Sequence, residues 1–380
     1  MKVLLLSAYA ARSHVYWHET LVAMFPDWGW HILTLPPRHF SWRMRGNALY
    51  WSIAEREALE GDYDLLLATS MVDLATIRGL VPRLCSLPAI LYFHENQFDY
   101  PRGQQKKKHE LLEAQMVSLY SAMAADRIVF NSVYNHDSFM AGCEALLKRL
   151  PDKVPVGVVP TLQGKSRVLP VPLKPGTGTV RSNASHWHGA QGELPSRPCR
   201  LLWVGRFEYD KGGEILLRTL RLLEDNDFSF ELAVVGQQFR NSPAAFGQIE
   251  IEFKHRLVQF GFLESRQDYD GILFAADIVF STALHEFQGL AVLEAVASGC
   301  VPVVPDRLAY PELFPADFRY PSHGDNPERE VEGATRLIIE LDQKIKSGTC
   351  EVPDVSGFTS TALKPLYKEL FTSLCRFKSQ

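Results

Sequence analysis

Ala276-Asp277-Ile278-Val279-Phe280-Ser281 and, four residues on, His285-Glu286-Phe287-Gln288-Gly289-Leu290-Ala291-Val292-Leu293-Glu294 decide how the chain reads. The first stretch has the apolar run of a short buried strand. The second carries Glu286 in a turn and then an apolar helical run that stops at Ser298-Gly299. Val301-Pro302-Val303-Val304 follows as another strand, so the order is strand, turn, helix, strand. A helix starting near Phe287 puts Glu294 about two turns inside it. The N–H groups of Gly289 and Leu290 are then expected at an open helix N-terminus, where an anion is stabilised.

Two glutamates eight positions apart fit an acidic helix start with one exposed residue beyond it equally well. A second stretch changes the balance. Gly205-Arg206-Phe207 follows the strand pattern Arg200-Leu201-Leu202-Trp203-Val204, and Lys211-Gly212-Gly213 comes just after. Arg206 should emerge at the C-terminal edge of a sheet, where ligands bind in such folds. Arginine forks onto two phosphate oxygens and lysine adds a compact charge. Two carboxylates flanking a cationic site suit a ligand with hydroxyls at both ends and a diphosphate between, a nucleotide sugar.

With these features in place the chain resembles the retaining glycosyltransferases of the GT-B type that carry a Glu-x7-Glu motif. The resemblance implies an α/β architecture: two Rossmann-like, doubly wound domains facing across a cleft. It also implies that Glu286 grips hydroxyls of the donor sugar, Glu294 holds the ribose, and Phe262 and Leu263 offer backbone contacts to the base. Gly205, Arg206, Lys211, Phe287, Gln288, Gly289 and Leu290 complete the expected donor site.

The rest of the chain fits this organisation. Lys2–Ser7, Trp30–Leu35, Asp64–Thr69, Ala89–Phe93 and Arg127–Phe130 read as strands alternating with amphipathic helices, the pattern of a parallel doubly wound sheet. From Gln163 to Pro198 proline, glycine, serine and threonine dominate without periodicity, as in a linker. The alternation restarts at Arg200. Expected boundaries are 1–162 for an N-terminal acceptor-binding domain, 163–198 for a flexible linker, 199–358 for a C-terminal donor-binding domain, and 359–380 for a terminal helix. By resemblance that helix returns to the first domain. Asp268 reads as the N-cap of a short helix ending near Ala275.

Composition narrows the function classes. The 380 residues are 46% hydrophobic with a net charge of −4, and no apolar run approaches the length of a membrane span. Met1-Lys2-Val3-Leu4-Leu5-Leu6 reads as a first strand rather than a leader. The six cysteines are scattered with no Cys-x-x-Cys pair, which points to a reducing, cytoplasmic setting. Asp62-Tyr63-Asp64 and Asp268-Tyr269-Asp270 sit at element boundaries, so no catalytic metal is expected. The negative balance is awkward for a nucleic-acid partner, yet Arg38, His39, Arg43 and Arg45 form a local basic stretch.

That stretch and one other mark the first domain. Phe93-His94-Glu95-Asn96-Gln97 places four polar residues directly after a strand, which suggests a site. His94 suits a bond to the transferred sugar or to the acceptor hydroxyl; a hydrogen-bonded loop histidine is the plainer reading. Trp42-Arg43-x-Arg45 suits phosphate contacts with base stacking, or a packed loop. Together with Ser13-His14, Ala48-Leu49-Tyr50, Tyr100-Pro101 and Phe130-Asn131-Ser132, these stretches resemble one subfamily, the tRNA-queuosine α-mannosyltransferases. Where the subfamily has a glycine pair before Ser-His, this chain has Ala11-Arg12.

The subfamily resemblance implies transfer of mannose from GDP-mannose to the cyclopentenediol of queuosine in tRNA. GDP-mannose would be a co-substrate, with no other cofactor. His94 and Glu286 would be catalytic. Ser13, His14, Trp42, Arg43, Arg45, Glu95, Asn96 and Gln97 would meet the acceptor. Alternatives are a GT-B transferase with another donor and a lipid or glycan acceptor, and a non-catalytic tRNA-binding protein on the same fold. The early helix from Tyr16 to Phe25 lacks the basic residues a lipid surface would favour.

Overall fold

The computed structural model describes residues 1–99, 108–174, 187, 197–239, 241–324 and 326–377. Tyr100, Pro101 and most of the expected linker lie outside those residues. The chain forms two compact units, Met1–Pro172 with Phe358–Gln380, and Leu173–Gly357.

The first unit runs β1 (Lys2–Ser7), α1 (Arg12–Met24), β2 (Gly29–Thr34), α2 (Phe40–Ala54), α3 (Arg56–Leu59), β3 (Leu65–Thr69) and α4 (Leu74–Leu80). It continues with β4 (Ala89–Phe93), α5 (Lys108–Ala124), β5 (Arg127–Phe130), α6 (Val133–Leu147), α7 (Val158–Gly164) and β6 (Ser166–Val168). Its sheet has the order β2-β1-β3-β4-β5-β6, and each neighbouring pair is parallel. Strands covered on both faces need apolar side chains at every position, and Val3, Leu4, Leu5, Leu6, Leu65, Leu66 and Leu67 are all fully buried.

The second unit runs β7 (Cys199–Val204), α8 (Gly213–Asp225), β8 (Phe230–Val235), α9 (Ala244–Glu252), β9 (Leu257–Gly261) and α10 (Arg266–Ala275). Then come β10 (Ile278–Phe280), α11 (Leu290–Ala297), β11 (Val301–Pro305), α12 (Tyr310–Leu313), β12 (Arg319–Tyr320) and α13 (Pro327–Lys346). The sheet order is β12-β11-β10-β7-β8-β9, again parallel throughout. In α8 the residues Leu216, Leu220 and Leu223 recur at helical spacing and are buried against this sheet.

Strand order reverses once in each unit, between β1 and β3 and between β7 and β10. At such a switch point the connections leave the sheet in opposite directions and open a crevice at the C-terminal edge. Ala8 to Ser13 and Ser70 border the first crevice. Gly205-Arg206 and Ser281 to Glu286 border the second.

Three expectations need correction. The segment from Gln163 is not linker at its start: Gln163 and Gly164 close α7 and Ser166–Val168 is the sixth strand. That strand has only three residues and sits at an edge, so it carries too short an apolar run to show. The cap of α10 is Ser265, whose hydroxyl accepts from the Asp268 N–H, and Asp268 lies inside the helix. And α11 begins at Leu290, after Gly289 in a left-handed conformation, so Glu294 lies little more than one turn in.

The last helix, α14 (Ser360–Phe377), belongs to the first unit. Its Tyr367 is fully buried, and the hydroxyl donates to the Pro170 carbonyl at 2.9 Å. It accepts from the Trp17 indole N–H at 3.1 Å and lies 3.2 Å from the Tyr92 hydroxyl. Trp17 in turn stacks on Tyr92 with ring centroids 4.3 Å apart. Replacing Tyr367 by Phe leaves the buried Trp17 N–H without its acceptor. The expected cost is about 1–3 kcal/mol, seen as a lower urea midpoint with unchanged slope. An unchanged midpoint would show that Trp17 finds another acceptor.

Candidate donor and acceptor sites

The second unit gathers its charges around Lys211. Gly212 makes this possible. Its φ is 69°, and a Cβ there would lie 1.9 Å from the Thr282 carbonyl oxygen, so the Lys211-Gly212 turn presses against the residues after β10. Thr282 fixes the contact by donating to the Lys211 carbonyl at 2.8 Å and accepting from the Trp203 indole at 3.0 Å. The Lys211 Nζ then donates to the His285 carbonyl at 2.9 Å and to Glu286 Oε2 at 3.1 Å, with Asp210 at 3.3 Å. Arg206 pairs with Glu208 at 2.8 Å and approaches Asp210 at 3.8 Å.

Burial opposes charge on both partners of the central pair, and their mutual attraction overrides it. Burial pulls the Lys211 pKa down, but the Glu286 and Asp210 carboxylates leave it raised overall. Burial pushes Glu286 up, yet Lys211 and the N–H of Gly289 bring it down to about 2. Both groups are therefore charged throughout the neutral range.

Glu286 also occupies the helix start that the sequence suggested was open. Its Oε1 accepts from the N–H groups of Phe287 at 3.2 Å and Gln288 at 3.4 Å. The side chains of Phe287 and Gln288 are buried. A small cavity is lined by Trp203, Lys211, Ser281, Glu286, Gly289 and Tyr310, among others. Tyr310 was not foreseen. Its hydroxyl bonds to Ser281 Oγ at 2.7 Å, and its ring lies where a Cβ on Gly289 would be 3.0 Å away. A single tyrosine after a strand gives no sign of this in the sequence.

Glu294 lies apart from the lysine cluster in its bonding. Oε1 accepts from Arg266 Nη1 at 2.9 Å, and Oε2 accepts from the Tyr269 hydroxyl at 3.2 Å. Burial raises its pKa, Arg266 and Tyr269 pull it back, and Asp270 adds to the rise. Phe262 and Leu263 follow Gly261, whose φ of 96° turns the chain out of β9.

In the first unit the structure brings together His14, His94 and Glu95. The imidazoles of His14 and His94 stack with centroids 4.3 Å apart, and Trp17 meets His94 edge-on at 4.9 Å. Burial and the neighbouring His14 and His18 hold the His94 pKa well below 6.5, so His94 is a neutral imidazole in the physiological range. His14 Nε2 lies 3.1 Å from Glu95 Oε2. Among the described residues, His14 Nδ1 and His94 Nε2 are buried with no hydrogen-bond partner. Buried ring nitrogens seldom stay unpaired, and a ligand would satisfy them. Ala11 has φ −63°, and neither Ala11 nor Arg12 has positive φ, so the absent glycine pair is accommodated without strain.

The other acceptor candidates divide. Asn96 is fully buried and spent on the fold: its amide donates to the Asn135 side chain and to Ser138 at 2.9 Å, and its oxygen accepts from Phe98 and Asp99. Gln97 is buried, with its carbonyl accepting from Gln115 at 3.2 Å. Ser13 is exposed on the first turn of α1. Trp42 is 54% exposed on α2 and covers Gly46, where a Cβ would meet its ring at 2.5 Å. Arg43 donates to the Pro36 carbonyl at 3.2 Å and Arg45 to Asp73 at 3.3 Å. Asp62 is exposed and pairs with Lys2 and Arg83, while Asp270 pairs with Arg266.

Comparison with known proteins places both halves. A family model described as "tRNA-queuosine alpha-mannosyltransferase N-terminal" matches residues 2–173, and "Glycosyl transferases group 1" matches residues 198–327. The chain is 31% identical to the tRNA-queuosine alpha-mannosyltransferase of Drosophila melanogaster over 318 residues, 84% of this chain and 83% of that one. It is 28% identical over 152 residues to a GDP-mannose-dependent alpha-(1-6)-phosphatidylinositol dimannoside mannosyltransferase of Mycobacterium tuberculosis, 39% of this chain and 38% of the relative. Among solved structures, Anabaena HepE in complex with UDP and glucose aligns with a TM-score of 0.66 at 13% identity, covering 98% of this chain and 100% of that one. Sucrose-phosphate synthase of Thermosynechococcus elongatus aligns with a TM-score of 0.64 at 15% identity, with 98% and 100% covered. These likenesses give the fold as that of the GT-B glycosyltransferases.

The lysine cluster generates a stability test. Lys211→Met strands Glu286 and should cost about 3 kcal/mol at neutral pH. Adding Glu286→Gln to that variant should restore most of the loss, measured by urea unfolding of all four proteins. Because the Glu286 pKa lies below its usual 4.5, its contribution is full above that value and fades as pH falls towards about 2. Losses that simply add, with the double variant losing the sum of Lys211→Met alone and Glu286→Gln alone, would show that the two groups are not coupled.

Proposed function

The chain belongs to the tRNA-queuosine alpha-mannosyltransferase family, and on that premise we propose that it moves mannose from GDP-mannose onto the cyclopentenediol of queuosine at the tRNA wobble position. The printed name of the mycobacterial relative, GDP-mannose-dependent, supports the donor. No helix among the described residues is long and apolar enough to cross a membrane, and a tRNA acceptor supports a cytoplasmic reaction.

The observation that carries the donor half is the cluster of Arg206, Asp210, Lys211 and Glu286 at the switch point of the second sheet. Before the donor arrives, each cation is held by carboxylates. The donor diphosphate takes over the exposed Arg206 fork and shares the Lys211 ammonium. These charges then sit where negative charge gathers as the sugar–phosphate bond breaks. Three acceptors already fix the position of Lys211, and its charge acts on the diphosphate from there. Glu286 is held ionised and accepts hydroxyls of the mannose. Glu294 takes the ribose, and Phe262 and Leu263 meet the base through their backbone.

On the acceptor side the neutral His94 offers Nε2 to a hydroxyl of the transferred sugar or of the acceptor. Configuration is retained: the departing phosphate oxygen takes the proton of the attacking hydroxyl on the same face of the sugar. Trp42, Arg43 and Arg45 provide stacking and phosphate contacts for the anticodon loop. No resident cofactor is invoked.

The test is to incubate the protein with GDP-mannose and bulk tRNA, with and without queuosine, and weigh the digested nucleosides. A hexose-sized gain on queuosine alone is expected. Glu286→Gln should lower transfer about 100-fold or more, the scale of losing one transition-state contact, in a protein that remains folded. Transfer to tRNA lacking queuosine would sink the acceptor assignment, and full activity of the variant would remove Glu286 from the mechanism.

A further inference from the structure

Glu294 is 5% exposed, and burying a carboxylate costs several kcal/mol unless it is paired and hydrogen-bonded. Among the described residues its side-chain partners lie on α10. Arg266 reaches one oxygen and Tyr269 the other. The guanidinium is itself fixed, with Nε on Asp270 at 3.1 Å, Nη2 on Asp270 at 2.8 Å, and its centre 5.1 Å from the Tyr269 ring centroid. A planar fork held at both ends cannot rotate freely. Each carboxylate oxygen has two acceptor positions. With one used on each, Glu294 presents one remaining position per oxygen, side by side, which matches a vicinal pair of hydroxyls.

Taking the ribose reading of Glu294 above as its basis, we propose that Arg266 and Tyr269 are positioning residues of the donor site. They orient both Glu294 oxygens for neighbouring ribose hydroxyls and so select a ribonucleotide donor over its deoxy counterpart. The charged and titratable groups facing Glu294 are Arg266, Tyr269 and Asp270. Burial and Asp270 favour a proton on Glu294; Arg266 and Tyr269 oppose it. Without Arg266 the acid holds its proton to higher pH. One oxygen then becomes a donor, and the matched pair of acceptors is lost.

The experiment measures binding of GDP and 2′-deoxy-GDP by calorimetry across the neutral pH range. It uses the full chain as wild type, Arg266→Met, Arg266→Lys and Tyr269→Phe. Wild type should prefer GDP about 10-fold at every pH, the worth of one hydrogen bond to a charged group. Arg266→Met should drop below about 3-fold at the acid end and recover preference as pH rises and Glu294 ionises again. Arg266→Lys should restore part of the preference, and Tyr269→Phe should lose part of it with a smaller acid-end loss than Arg266→Met, because its hydroxyl opposes the Glu294 proton less than the Arg266 charge does. If Arg266→Met keeps the wild-type preference at every pH, or weakens both nucleotides equally, the pair is merely structural and the proposal falls. A wild type without preference also overturns it, by removing Glu294 from the ribose. Failure of the mannosyl-transfer reading shows elsewhere, as wild-type protein that adds no hexose to queuosine tRNA.

Discussion

One ammonium group organises the second unit. Three acidic or carbonyl oxygens converge on Lys211, from Asp210 beside it and from His285 and Glu286 across the switch point. Without the cation, Glu286 would be a buried carboxylate without its main charge partner, and burial would favour its protonated form. With it, Glu286 stays ionised and the loops after β7 and β10 are joined. The same attraction lets Glu286 turn its other oxygen onto the backbone N–H groups ahead of α11. Thus the start of that helix, the position of the lysine and the charge of the glutamate are one arrangement, and Gly212 is the backbone condition for it.

The sequence disclosed the long, periodic parts of this architecture. Runs such as Val3-Leu4-Leu5-Leu6 and Leu201-Leu202-Trp203-Val204 have to be apolar at every position because both faces of their sheets are covered. That requirement is local, so it can be read. The edge strands Ser166–Val168 and Arg319–Tyr320 were not legible: they are too short to show a period and are formed by the neighbours they join. Gly212 follows Lys211 in the sequence with no sign of its purpose, and only the folded structure shows that Thr282 is what it makes room for.

The candidate sites divide along the same line. Cations and carboxylates next to glycine turns could be picked out as a set. Their pairing could not, because Lys211 and Glu286 are 75 positions apart and Arg266 and Glu294 are 28 apart. Asn96 shows the opposite error. A polar residue after a strand suggests a ligand, yet every hydrogen bond this one makes ties its loop to α6 and to its own turn. Polar residues at a strand end answer two needs, closing the loop and meeting a ligand, and composition does not separate them. His94 differs from Asn96 in keeping a buried ring nitrogen unpaired among the described residues.

The place of α14 has a consequence for how the protein is made. Residues 173–357 are continuous and contain a whole sheet with its helices, so this unit needs no later segment to complete its sheet. The first unit needs one to complete its packing, although its strands emerge earlier. Trp17 lacks the Tyr367 hydroxyl, and the apolar surface under Leu363, Leu370 and Phe371 stays wet, until α14 has been added. Completion therefore runs opposite to synthesis. Until α14 arrives, the half that matches the tRNA-queuosine model at residues 2–173 remains open on one face.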